Sequence, residues 1–263
     1  MRLPTYFISH GGGPWPWLPD WRRRFVNLEA SLARMPDEIG ETPRAVLVVS
    51  GHWEDASFAA MSAPRPPMVY DYFGFPPETY EIVYPAPGAP ELAARAAALI
   101  REAGLPTRLD ETRGFDHGAF APLFVIYPAA DVPVFQLSLQ SGYDPATHMA
   151  AGRALAPLRD EGILIVGSGL SYHNLQRFGP AAREPSEAFD QWLAEAMADA
   201  PERRREKVIG WEAAPYARLC HPREDHLAPL FVALGAAEDA PATRVYHDAG
   251  LFGGVTASSY RFG

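Results

Sequence analysis

The sequence holds one cysteine, Cys220, among its 263 residues. A lone thiol excludes an internal disulfide and a cysteine-rich structural zinc site, and it fits a reducing cytoplasm. Beside His221 it could offer a soft metal ligand, but a small apolar residue is the simpler reading. Long apolar runs are also missing: none reaches the roughly 18 residues of a membrane-spanning segment. No basic stretch precedes an apolar one at the amino terminus, so no signal peptide is expected. Positive charge is scarce, with 23 Lys and Arg against 32 Asp and Glu and a net charge of -9. Binding a phosphate backbone needs a basic face, so nucleic acid is not an expected partner. One local arginine would still serve a small anionic substrate. There is no P-loop and no Gly-x-Ser-x-Gly elbow; Ser168 follows a strand in Val166-Gly167-Ser168-Gly169-Leu170, but in another frame. Internal repeats and low-complexity segments are absent as well.

What remains is a globular balance, 48% hydrophobic and 21% charged, whose 27 prolines and 22 glycines point to long ordered loops. Three apolar runs read as buried strands: Leu3 to Ile8, Ala45 to Ser50 and Ile163 to Val166. A further strand is expected over Val132 to Leu139, with closing strands at Arg244 to Tyr246 and Val255 to Tyr260. Helical spacing and punctuation predict helices over 18–35 (ended by Pro36), 91–103, 119–127, 145–159, 185–198 (Ser186 a candidate cap) and 227–234. Strands alternating with helices predict an α/β fold: one catalytic domain over residues 1–263, its central, mainly parallel sheet flanked by helices. In such sheets ligands sit at the carboxyl ends of the strands. The segment from Ser62 to Pro90, rich in Pro, Tyr and Phe, is too long for a plain connector. It reads equally as a loop pinned by its own rings and as a pocket wall.

Each of the three apolar strands runs into Ser and Gly residues and then a histidine. His10 lies in Ile8-Ser9-His10-Gly11-Gly12-Gly13-Pro14, His52 in Ser50-Gly51-His52-Trp53, and His173 follows Gly167-Ser168-Gly169 and Tyr172. The glycines tolerate positive φ and leave the His10 ring facing open space. His117 sits in Gly114-Phe115-Asp116-His117-Gly118, and His226 beside Glu224 and Asp225. Neutral imidazole is a common ligand for zinc, copper, iron and nickel. Three protein ligands leave a metal open for chemistry, whereas four close it. His148, on a helix, and His247, in the tail, lack the strand-end setting.

Taken together, Ser9-His10-Gly11-Gly12, Ser50-Gly51-His52-Trp53, Phe73-Gly74-Phe75-Pro76, Tyr84-Pro85-Ala86-Pro87-Gly88, Gly114-Phe115-Asp116-His117-Gly118, His173-Asn174-Leu175 and Glu224-Asp225-His226-Leu227-Ala228-Pro229-Leu230 resemble a known family. It is the class III extradiol ring-cleavage dioxygenases, in the branch of the 4,5-DOPA extradiol dioxygenases. The segments run in family order along nearly the whole chain. The resemblance implies one divalent metal ion, Fe(II) for dioxygenase chemistry or Zn(II), on His10, His52 and His226. Better-known members of the class use two histidines and a carboxylate, so Glu224 and Asp225 stay open as alternatives at the third position. His173 would be the acid/base histidine, or a further ligand in a resting zinc form, and His117 would line the pocket and assist proton transfer. The implied partners are a small aromatic diol and O2, and the implied product of catechol cleavage is a muconic semialdehyde. Tyr72 and Phe73, with Tyr70 and Phe75, are candidates to stack on the substrate ring. A substrate carboxylate would need a cation, and Arg113 and Arg177 lie near motif histidines in sequence. Two other readings use the same residues: zinc-dependent hydrolysis with Glu224 as base, and a non-enzymatic binding protein of the Memo-like kind.

Overall fold

Among the residues described by the computed structural model, 2–263, eight strands form one sheet. In chain order they are β1 (Thr5–Ser9), β2 (Ala45–Asp55), β3 (Phe58–Met61), β4 (Thr107–Asp110), β5 (Val134–Gln140), β6 (Ile163–Gly169), β7 (Ala242–Leu251) and β8 (Val255–Phe262). The α-helices are α1 (Pro19–Arg24), α2 (Val26–Ile39), α3 (Pro90–Glu102), α4 (His117–Ile126), α5 (Pro145–Leu155), α6 (Arg183–Ala198), α7 (Pro201–Ile209), α8 (Ala217–Cys220) and α9 (Ala228–Gly235). The order across the sheet is β4-β3-β5-β2-β6-β1-β8-β7. The central strands β5, β2, β6 and β1 are parallel, as are β3 and β4, while the β3–β5, β1–β8 and β7–β8 pairs are antiparallel. This is the mainly parallel α/β architecture expected from the sequence.

The unbroken apolar runs of β1, β2 and β6 reflect burial on both faces. Val46, Leu47, Val49, Ile165 and Phe7 are all fully buried. Adjacent residues of β6 show how the two faces are covered, because side chains alternate along a strand. Ser168 turns to α4 and donates to the Gly118 carbonyl. On the other face a Cβ on Gly167 would stand 2.3 Å from the Pro229 carbonyl oxygen, and one on Gly169 2.1 Å from that of His226. The chain entering α9 thus lies directly on β6, a close approach that only glycine allows. Leu170 N donates to the same His226 carbonyl at 2.9 Å. The Gly-Ser-Gly run of β6 is therefore what brings His226 down to the strand ends.

Several boundaries differ from expectation, for local reasons. The single helix expected over 18–35 is two, parted at Phe25, and Pro36 lies inside α2 rather than ending it. The helix ends where Gly40 turns to φ 78° and donates to the Pro36 carbonyl at 3.0 Å. Ser186 is no cap: it sits inside α6, donating to the Arg183 carbonyl and accepting from Thr256 N at 2.9 Å. Strands β3 and β4, four residues each, are too short for periodicity to reveal, and α7 (Pro201–Ile209) is too charged. Strand β2 continues past Ser50 to Asp55. Its pairing with β6 ends at Ser50, and its register on β5 slips between Val49 and Glu54. His52 stands in that irregular stretch, as bulges commonly re-aim a side chain.

Candidate active site

The carboxyl ends of β1, β2 and β6 deliver His10, His52 and, through a short loop, His173 to one place. His117, first residue of α4, and His226, two residues before α9, meet them there. His10 stands with ring centroids 4.9 Å from His52, 5.2 Å from His117 and 5.2 Å from His226. His52 lies 3.9 Å from His117, and the His173 ring stacks on His226 at 3.4 Å. All five motif histidines therefore line one cavity of about 520 Å³. His148 and His247 do not: His148 is bonded to Gln140 N and the Asp144 carbonyl, and His247 to Ser258. His221 is buried against Phe189 and Trp211 with Nε2 3.0 Å from the Ser171 carbonyl.

Two carboxylates, neither singled out as an orienting group by sequence, hold these rings in pairs. Asp71 Oδ1 lies 2.8 Å from His117 Nδ1 and accepts from His117 N at 3.1 Å, while Oδ2 lies 3.0 Å from His52 Nδ1. Asp225 Oδ1 accepts from His226 N at 2.8 Å and lies 3.1 Å from His226 Nδ1 and 3.6 Å from His173 Nδ1. Burial opposes the charge on each acid, but the imidazoles around them outweigh it and hold both well below the usual carboxylate range. An ionised carboxylate only accepts, so the His117 Nδ1 facing Asp71 carries the hydrogen and its Nε2 is left as the acceptor. Burial and the neighbouring imidazoles push His10 and His226 well below the ordinary histidine range. Burial lowers His117 as well; at His52 the pull of Asp71 overcomes burial and raises it.

Beneath the histidines a third acid, Asp116, is fully buried. Ser50 Oγ donates to it at 2.7 Å, Arg113 at 2.8 Å and Gln136 at 2.9 Å. Arg113 also donates to the His52 carbonyl at 3.3 Å and lies over the Trp53 ring, so it braces the bulge of β2. Neither Arg113 nor Arg177 lines the cavity; the arginine that does is Arg24, which the sequence did not single out.

The residues fit a metal ion. Both ring nitrogens of buried His10 lack a hydrogen-bond partner, an orphaned state that costs free energy unless something fills it. His52 Nε2 and His226 Nε2 face each other at 3.1 Å. Two nitrogens bound at about 2.1 Å to one tetrahedral ion stand about 3.4 Å apart. Ligand atoms of His10, His52 and His226 all lie within 4.8 Å of one another. The sets His52–Asp71–His117 and His173–Asp225–His226 are as compact, but there the carboxylates are occupied by imidazole Nδ1 atoms, as in the outer partners of metal-bound histidines. Glu224 is ion-paired with Arg218 at 2.6 Å and does not line the cavity, so it is not placed to act as a hydrolytic base. Cys220 is buried, its thiol pushed up to about 12 by burial, and behaves as the small apolar residue expected.

The long aromatic segment both pins itself and forms part of the cavity wall. Tyr70 and Tyr72 pin it internally through the Ile82 and Thr79 carbonyls at 2.8 and 2.5 Å. Asp71, Tyr72, Phe73 and Phe75 line the cavity; Tyr72 is 8% exposed and part of the wall, Phe73 91% exposed at the mouth. Trp21, Phe178, Leu251 and Phe252 are also part of the apolar lining. The three glycines after His10 are packed against rings: a Cβ on Gly11, at φ 80°, would stand 2.4 Å from the Trp15 indole nitrogen.

The family described as the catalytic LigB subunit of aromatic ring-opening dioxygenase matches residues 23–263. The chain belongs to that family. It is an extradiol aromatic ring-opening dioxygenase, dependent on a non-haem metal and acting on an aromatic substrate with O2. The non-enzymatic reading falls with that membership. The dioxygenase is 38% identical over 263 residues to a 4,5-DOPA dioxygenase extradiol of Beta vulgaris, a match covering 98% of this chain and 96% of the relative. It is also 38% identical over 279 residues to dioxygenase tasH of Hapsidospora irregularis, covering 99% and 85%. The crystal structure of an uncharacterized Escherichia coli K12 protein matches the whole of both chains with a TM-score of 0.81 at 30% identity. Among the described residues no helix is long and apolar enough to cross a membrane.

Proposed function

We propose that the dioxygenase, acting as one catalytic domain, opens the ring of a catechol to give a muconic semialdehyde, with its metal held by His10, His52 and His226. The observation that carries this reading is the buried His10 ring, unpartnered at both nitrogens, beside the opposed Nε2 atoms of His52 and His226. When bound, Fe(II) supplies the electron transfer between catecholate and dioxygen that Zn(II) cannot, which makes iron the metal of the reaction.

The chain's own residues position and ionise the diol. The cavity walls at Tyr72, Phe75 and Phe252 hold the ring and exclude water, which strengthens every polar contact inside. His173 has Nδ1 turned to Asp225, so its Nε2 is the base that takes a catechol proton, and Asp225 stabilises the imidazolium that forms. His117, with Nδ1 bonded to Asp71, offers Nε2 to the second hydroxyl and returns a proton as the ring opens. Asp71 and Asp225 keep both pairs of rings in register throughout.

The test is oxygen uptake by anaerobically purified, iron-loaded protein on a panel of catechols. Iron-dependent uptake with a yellow ring-fission product is the expected result. A protein inert to every catechol after iron reconstitution would overturn the reading.

A further inference from the structure

His221 follows α8, is fully buried and lies outside the lining of the histidine cavity. Its ring packs against Phe189 of α6 and against Trp211, with centroids 5.1 and 5.9 Å away. Burial pulls it down to about 4, so the ring is neutral near pH 7. Nε2 stands 3.0 Å from the Ser171 carbonyl, which can only accept, so Nε2 carries the hydrogen. Nδ1 is buried without a partner. An orphaned nitrogen costs free energy that a leucine of similar volume would not, so what the imidazole adds at this place is the donor. That bond belongs to a short ladder between the turn carrying His173 and the segment carrying Asp225 and His226. Leu170 N donates to the His226 carbonyl at 2.9 Å, His173 N to the Cys220 carbonyl at 3.0 Å, and Asn174 Nδ2 to the Leu219 carbonyl at 2.8 Å.

We propose that His221 is a positioning residue for ring cleavage: its Nε2–H holds the Ser171 peptide so that the His173 ring stacks on His226 and turns Nδ1 to Asp225. The inference rests on the ring-cleavage reading for the role of His173 and adds the residue that sets where that base stands. Ser171 is 2% exposed, and among the described residues its carbonyl has no other donor. Without His221 the carbonyl is stranded away from water, and the peptide must turn to find a partner. His173 lies two residues on, and its contact with Asp225 is already 3.6 Å long, so a small turn of the chain breaks it. The proposed metal histidines are held by other means. His226 N donates to Asp225 at 2.8 Å and the His226 carbonyl accepts from Leu170, while His10 and His52 stand on β1 and β2 ends that His221 does not touch.

The test compares the full-length, iron-loaded wild type with H221L, H221F and H221Q. Leucine keeps the volume and phenylalanine the ring contacts, both without a donor. The glutamine Nε2 is as many bonds from Cα as the imidazole Nε2 and restores the N–H. The two donor-less variants are expected to lower kcat on 4-methylcatechol about tenfold or more, with KM and the Zn(II) Kd within about threefold of wild type, and H221Q to recover most of kcat. Crystals of the zinc-loaded forms read the cause, with the His173 ring displaced in H221L and H221F and in place in H221Q. Unchanged kcat in a folded donor-less variant, a Zn(II) Kd that weakens in step with kcat, or a glutamine variant as slow as the leucine one overturns the proposal. Failure of both donor-less variants to fold overturns it too, by making His221 a folding residue. A wild type inert to every catechol refutes the ring-cleavage reading alone; His221 is then judged by the crystals, where a His173 ring unmoved in H221L ends its positioning role.

Discussion

Asp71→Asn probes the site where the structure is most explicit. The carboxylate contacts His117 Nδ1 at 2.8 Å, His117 N at 3.1 Å and His52 Nδ1 at 3.0 Å, one oxygen serving each ring. Asparagine preserves the volume and one acceptor, but turns an amide NH2 toward the second imidazole. One ring then keeps its orientation, and the other must flip its tautomer or move. A hydrogen bond to a charged group is worth about 1.5–3 kcal/mol, and the 17% exposure of the Asp71 side chain places it in the lower half of that range. Loss of an outer carboxylate partner weakens metal binding by about 10- to 100-fold, or about 1.4–2.7 kcal/mol. The two routes agree on about 2 kcal/mol, close to a 30-fold rise in the metal Kd. Competition for Zn(II) against a chromophoric chelator measures this without redox complications, and circular dichroism of both metal-free proteins checks the fold. Metal affinity of the folded variant within twofold of wild type would refute the claim that Asp71 orients a ligand.

Gly169→Ala should cost about 3 kcal/mol or more, because the new Cβ meets the His226 carbonyl at 2.1 Å and a backbone oxygen cannot yield cheaply. Thermal unfolding reads this as a fall in Tm of roughly 6–12 °C, and an unchanged Tm would mean that α9 does not rest on β6. His173→Ala should reduce kcat by about 100-fold or more while leaving metal content intact; loss of the metal too would make His173 a ligand. Cys220 should resist a thiol reagent in the native protein and react only on unfolding, since it is fully buried with its thiol pushed up to about 12. Fast native labelling would contradict that placement.

The frame of the site was legible because its signals are local. Apolar runs ending in Ser and Gly mark β1, β2 and β6, and a histidine after each stands at the sheet's carboxyl edge. What escaped depends on tertiary partners. Asp71 lies in an aromatic run, and nothing in Tyr70-Asp71-Tyr72 says that its two oxygens reach imidazoles on β2 and α4. Arg24 cannot be told from Arg22 and Arg23 until Glu29 and Asp20 are seen to occupy those two. Arg113 and Arg177 lie near motif histidines in sequence, yet Arg113 turns beneath the histidines to Asp116. Phe252 comes from a hairpin tip far from any motif, and only the fold brings it to Phe178, just past the His173 motif, in a ring contact at 5.1 Å. The short strands β3 and β4 form because β5 offers an edge, not because their own sequences demand it.

The most direct test of the account is the position of the metal. Anomalous diffraction from crystals of the zinc-loaded protein should show one peak at about 2.1 Å from His52 Nε2, His226 Nε2 and a ring nitrogen of His10. Asp71 and Asp225 should stay on the far side of their imidazoles. A peak bonded to either carboxylate, or one that leaves His10 without a partner, would contradict the account.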